Sequence, residues 1–218
     1  MPLFALSFAP RALAEAAEPE PALGALPEWD LSDLYSTMEA PEVAADLRRA
    51  GEDAAAFESG FQGRLETLAR EDPAALLEAV RRYEALEDLM GRLVSYAGLV
   101  YAGDTADPQR AKFYGDVQER ITAASVHLLF FTLELNRIED SVIEAALAHP
   151  GLARYRPWFE DIRKERPYQL EERLERLFHE KSVTSRGAWN RLFDETIAAM
   201  RLRVRGEELP RRAPACKA

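Results

Sequence analysis

The chain has 218 residues, of which 47% are hydrophobic, and 28 Lys and Arg face 38 Asp and Glu, a formal net charge of -10. That length and apolar content support a real core and exclude a mostly disordered chain. The acidic balance argues against nucleic acid or anionic membrane as a partner, and a single cysteine, Cys216, excludes a disulfide framework and a cysteine-based zinc site.

Residues 1–26 read as a flexible leader rich in Ala, Pro and Glu. Ala12-Leu13-Ala14 ahead of Glu15 has the look of a signal-peptidase site. No positive charge precedes the apolar stretch 3–9, however, and Pro10-Arg11 ends it, which points to a cytoplasmic protein. Residues 41–61 form a first helix, with Val43, Leu47, Ala54 and Phe57 inward and Gly51 as a soft spot.

Asp72-Pro73 is a helix start, a carboxylate acceptor followed by a residue suited to the first turn. Leu76, Val80, Tyr83, Leu86, Met90, Leu93, Ala97 and Val100 then recur at three- and four-residue steps, one stripe on a helix over about 73–102. Asp107-Pro108 repeats the signal. Phe113, Val117, Ile121, Ala124, Leu128, Phe131 and Leu135 form a second stripe over about 107–137. The two helices make an antiparallel pair. The run 126–135 is apolar all round but too short to span a membrane, so it is buried on several sides.

Ser141 and Glu144 have capping-box spacing, and His149-Pro150-Gly151 stops that short helix. Residues 152–164 read as one helix carrying Trp158 and Phe159. Residues 171–181 place Leu174, Leu177 and Phe178 on one face. Ser185 can cap a further helix striped by Trp189, Leu192, Phe193, Ile197 and Met200. Near 201–205 the chain alternates like a strand that begins and finds no partner. The fold class is all-α.

Chemistry-bearing motifs are few. His179-Glu180 is half of the His-Glu-x-x-His zinc pattern, but Val183 stands where the second histidine is needed. Gly98 to Thr105 has phosphate-loop glycine spacing, with Asp104 at the lysine position, where it would repel phosphate. His127 reads as a core histidine with one hydrogen-bond partner, and His149 as a terminus residue. Glu84, Glu87 and Asp88, and Glu171, Glu172 and Glu175, read as solvated faces. Tyr155, Trp158 and Tyr168 lack the basic setting of a nucleic-acid platform. No catalytic, cofactor-binding or metal residue is assigned.

Five segments in order carry a resemblance: LPEWDLSDLY (26–35), RLVSYAGLVYAGDTADP (92–108), LLFFTLELN (128–136), RPYQL (166–170) and EKSVTSRGAWNRLFDETIAAM (180–200). Together they resemble the N-terminal part of oligoendopeptidase F, in the thimet-oligopeptidase-like zinc metallopeptidases. The resemblance implies a helical N-terminal lobe over 27–200 that covers the substrate channel of a cytoplasmic zinc endopeptidase acting on short peptides. The family's His-Glu-x-x-His helix and glutamate ligand lie in its C-terminal half, so no zinc ligand carries over and the chain alone is expected to be inactive. Residues 210–218 resemble nothing in the family, and 201–218 read as a truncated or frameshifted tail. The lobe is expected to leave Trp189, Phe193 and Ile197 exposed, a surface for self-association. The alternative is a free-standing helical peptide-binding or adaptor module derived from that lobe.

Overall fold

Two aspartates set the frame of the bundle. Asp72 accepts from Ala75 N at 3.0 Å and opens α3 (Pro73–Gly103), and Asp107 accepts from Gln109 N at 2.7 Å and opens α4 (Pro108–Ser125). In both cases proline follows in the first turn, where its missing N–H leaves no bond unmade. The computed structural model describes residues 29–204 and 207–210. The leader 1–26 and the end of the tail, 211–218, lie outside them. The chain divides into units Met1–Asp30 and Leu31–Ala218, and the helices and strands described fall in the second.

Helix α1 (Pro41–Phe61) packs on both α3 and α4, and α3 packs on α4, so the expected antiparallel pair is part of a three-helix layer. Gly63, with φ of 74°, turns the chain from α1 into α2 (Leu65–Glu71), and its N–H donates to Glu134 at 2.7 Å. The second long helix is not continuous. It breaks at a 3-10 turn, Val126–Leu128, and resumes as α5 (Leu129–Arg137). The Ser125 hydroxyl donates to the Thr122 carbonyl at 3.1 Å, competing for an acceptor of the helical ladder just there.

The next helices are shorter than their pattern suggests. Ser141 does not cap: α6 (Asp140–Ala146) begins one residue before it, and Glu144 grips Arg156 with two bonds of 2.8 and 3.0 Å instead. A charged partner outcompetes the neutral backbone N–H that a capping box would have offered. His149 starts a turn as well as ending one, because its Nδ1 accepts from Gly151 N at the head of α7 (Pro150–Ala153). Residues 152–164 are split, with α8 running Arg156–Lys164. Pro157 explains the split, since it has no N–H to bond back to Ala153. A 3-10 turn, Arg166–Tyr168, leads to α9 (Glu172–Lys181).

Ser185 is likewise no N-cap. It sits in a π-helical turn, Val183–Gly187, and its hydroxyl donates to Lys181 O at 2.6 Å. The turn closes with Gly187 N to Ser182 O at 2.8 Å, and a side chain at Gly187 would lie 3.2 Å from that oxygen. Helix α10 follows (Ala188–Ala199). The strand expected near 201–205 does find a partner. β1 (Arg201–Val204) pairs antiparallel with β2 (Glu207–Pro210), in register Arg201 with Pro210 and Val204 with Glu207. β2 shows no apolar alternation, and Pro210 fits because it closes the strand, where no donor is required. The architecture remains all-α apart from this hairpin.

The core is aromatic at its centre. Phe131 is fully buried and meets Phe57 of α1 at 5.2 Å, Tyr83 of α3 at 4.7 Å and Trp158 of α8 at 6.3 Å between ring centroids. A second anchor is polar. The Tyr35 hydroxyl donates to Asp46 at 2.8 Å and accepts from Arg92 at 3.1 Å, while Arg92 also pairs with Asp46. This triad ties the segment before α1 to α1 and α3.

Phe131→Ala removes the shared ring and is expected to cost about 3–5 kcal/mol of unfolding free energy in urea melts. Burial first, then the bond to Asp46, pushes the Tyr35 hydroxyl from 10.0 up to about 12. Its contribution to stability is therefore whole below pH about 10 and is lost as pH rises through about 12. Ultraviolet titration of tyrosinate in the wild type and in Tyr35→Phe should show one step near that upper value disappear.

Candidate functional site

An open groove of about 830 Å³ runs between α4 and the arm made by α9, the π turn and α10. Lys112, Asp116 and Glu119 of α4 line one side. Arg176, Glu180 and Arg191 line the other, and the 3-10 turn adds Val126 and His127. Three cationic side chains thus balance three anionic ones. Such a groove does not steer a ligand of one charge and suits a chain carrying both signs or neither.

The interruption after Ser125 brings two histidine contacts to this region. His127 Nδ1 lies 2.6 Å from Glu58, and the same carboxylate takes Arg176 at 3.2 Å. His179 Nε2 lies 2.7 Å from the Ser125 hydroxyl. These are halves of a nucleophilic relay that are not joined. The hydroxyl is on one imidazole and the carboxylate on the other, whereas a relay needs both on the same ring. The Ser125 hydroxyl also lies 3.1 Å from the Thr122 carbonyl, a second acceptor within reach of its one proton. The contacts act as struts.

Helix α9 is inverted relative to an ordinary surface helix. Its polar residues attach it to the body: Arg176 to Glu58, Glu172 to Gln62 at 3.3 Å, and His179 to Ser125. Its apolar residues face out, Phe178 at 63% exposure together with Leu174 and Leu177. Helix α10 continues this with Trp189 at 71% and Phe193 at 64%, while Ile197 is half-buried. The expected exposed apolar face is therefore present, and it is wider than the last helix.

The other motif residues are structural. Gly98 to Gly103 form the last turns of α3 and not a loop; Asp104 accepts from Ala106 N in the turn that follows. The acidic clusters are tied in and not merely solvated. Glu84 accepts from the Tyr155 hydroxyl at 2.6 Å, and Glu175 accepts from Leu170 N at 2.9 Å. Trp158 packs with Phe131, and Tyr168 is exposed. Glu134 spans from the core segment to the α1–α2 turn; burial raises its carboxyl, against the lowering pull of the Gly63 and Leu65 amides. Glu58, Ser125 and Arg176 gave no signal in sequence, because their partners lie 54 to 118 residues away.

Zinc needs three or four converging donors. Among the described residues no three His, Cys, Asp or Glu side chains gather to hold a metal ion, and Val183 stands in the π turn beyond His179-Glu180. These residues do not fit a zinc site.

Residues 134–201 match the family model described as oligopeptidase F. The fold matches the crystal structure of oligoendopeptidase-F from Enterococcus faecium with a TM-score of 0.65 and 18% sequence identity, over 78% of this chain and 33% of that one. Residues 134–201 are thus similar in sequence to that family, and the wider chain shares the fold of the matched structure. The low identity speaks to the fold alone, and the chain spans about a third of that structure's length. No curated protein matches the chain. The matched segment runs from the end of α5 to the start of β1, and so includes the whole inverted arm. No helix among the described residues is long and apolar enough to cross a membrane.

Glu58→Ala severs both His127 and Arg176 from α1. Hydrogen exchange should quicken about fivefold across residues 172–181, equivalent to about 1 kcal/mol. Exchange in the middle of α3 should not change.

Proposed function

We propose that these helices form the lobe covering the substrate channel of an oligoendopeptidase F-type zinc peptidase, admitting short peptides and excluding folded proteins. On this reading the segment by itself binds no catalytic zinc and hydrolyses nothing. The observation that carries it is the fold likeness over 78% of the chain, joined to the family match over residues 134–201. Two features support it. The groove balances its charges, as a site for peptides of varied sequence requires. The outer face of α9 and α10 is apolar in a way that isolated surfaces seldom are. The same reading places the protein in the cytoplasm, without nucleic-acid or membrane partners. It also has the apolar face drive self-association when the chain is alone.

Two measurements test it. The chain, supplied with zinc, is expected to leave a quenched fluorescent peptide uncut; zinc-dependent, chelator-sensitive cleavage would overturn the reading. The chain should bind a hydrophobic dye strongly, and Trp189→Ser with Phe193→Ser should lower that binding by about half or more without loss of helicity.

A further inference from the structure

A second, smaller recess of about 360 Å³ lies where α5 ends and α9 begins, lined by Asn136, Arg137, Arg166, Gln169, Leu170 and Glu171. It is separate from the groove, and the inference drawn from it does not depend on the peptidase reading.

Two of the residues that line it carry a buried acceptor without a partner. Asn136 is only 4% exposed, and its Oδ1 is buried without a hydrogen-bond partner. Gln169 Oε1 is also buried and unpartnered. Its Nε2 donates to the Leu133 carbonyl at 3.1 Å, which fixes the amide's orientation, since a flip would set oxygen against oxygen. Buried carbonyl oxygens are normally satisfied, so a pair of them at one recess points to donors that arrive from outside.

The same recess is arranged for a negative charge. Arg137 and Arg166 are half-exposed, and their acidic contacts are loose, at 3.9 Å to Glu172 and 3.4 Å to Asp140. Asp140 is claimed more closely by Arg163, whose guanidinium holds its carboxyl below the usual range. Helix α9 opens beside them with no side-chain cap; Leu174 N bonds the Glu171 carbonyl, and the N–H groups of Glu172 and Arg173, which have no helical acceptor, stand at the positive end of its dipole. Leu170 N is already taken by Glu175. The site thus asks for an anion and for N–H donors at one place. Glu171 sits at the mouth, and its carboxylate opposes a purely anionic ligand.

A carboxylate with an N–H on the adjacent carbon meets both demands. We propose that this recess binds the α-carboxylate end of an amino acid or peptide. The carboxylate pairs with Arg137, Arg166 and the start of α9, and the neighbouring N–H donates to Asn136 and Gln169. The volume suits a ligand of one or two residues and not a folded partner. A free amino acid would add its ammonium to Glu171; a peptide C-terminus would offer one amide N–H and no charge there.

The test is calorimetric titration of the full chain with alanine, N-acetylalanine, propionate and N-acetylalanine amide. Saturable binding is expected for at least one of the first two, with propionate and the amide about tenfold weaker, because each lacks one of the paired groups. Alanine binding tighter than N-acetylalanine assigns the free amino acid, and the reverse assigns the peptide terminus. Arg137→Gln with Arg166→Gln, both on exposed side chains, should keep the helicity and remove the preference for the carboxylate. Gln169→Leu should weaken binding about tenfold. Failure of all four probes to saturate at roughly 10 mM, or equal binding of all four, would overturn the proposal. So would unchanged affinity in Gln169→Leu, which would leave the two oxygens as sites for ordered water alone.

Discussion

The ring of Phe131 is the point on which the bundle turns. It is fully buried and touches aromatic rings from α1, α3 and α8 at once. Tyr83 of α3 backs it, meeting Phe57 and Trp158 as well as Phe131 itself. Phe130 and Phe131 are neighbours within α5 and so project about a hundred degrees apart, yet both meet the Phe57 ring, which lies between them.

The polar anchor complements the aromatic one. Tyr35, Asp46 and Arg92 join three parts of the chain through hydrogen bonds with strict geometry, whereas the aromatic cluster is held by area and shape. Arg163 plays a related part beyond α5. It donates to the carbonyls of Leu135 and Ile138 at 2.9 and 2.8 Å, satisfying backbone acceptors that the end of the helix leaves open. The loop into α6 therefore has a fixed shape, and that shape positions Asn136 and Arg137 at the recess.

Sequence made the long helices legible because their signals are local. Asp72-Pro73 and Asp107-Pro108 carry both cap and first turn, and the stripes report the face each helix buries. The exposed apolar face of α10 was legible for the same reason: a stripe shows even when nothing covers it. What sequence hid was competition. Ser141 and Ser185 have capping chemistry, but Glu144 found Arg156, and Ser185 found the Lys181 carbonyl. The hairpin was hidden because β2 has no apolar alternation. The contacts around Glu58 were hidden because periodicity says which face is polar and not what a distant helix will offer it. The Asn136 and Gln169 oxygens stand out only as acceptors left over once every neighbour is in place.

The reversed polarity of α9 has a consequence for how the arm responds to its medium. Ionic and hydrogen-bonding struts hold it to the body, and its oily side is turned to water. Dissolved electrolyte weakens the first kind of contact by screening and strengthens the second by salting out. One change in the medium therefore loosens the arm from its own body and makes its outer side stickier. For most helices the two effects oppose each other at a single interface; here they act on opposite sides of one helix and favour the same displacement, outward.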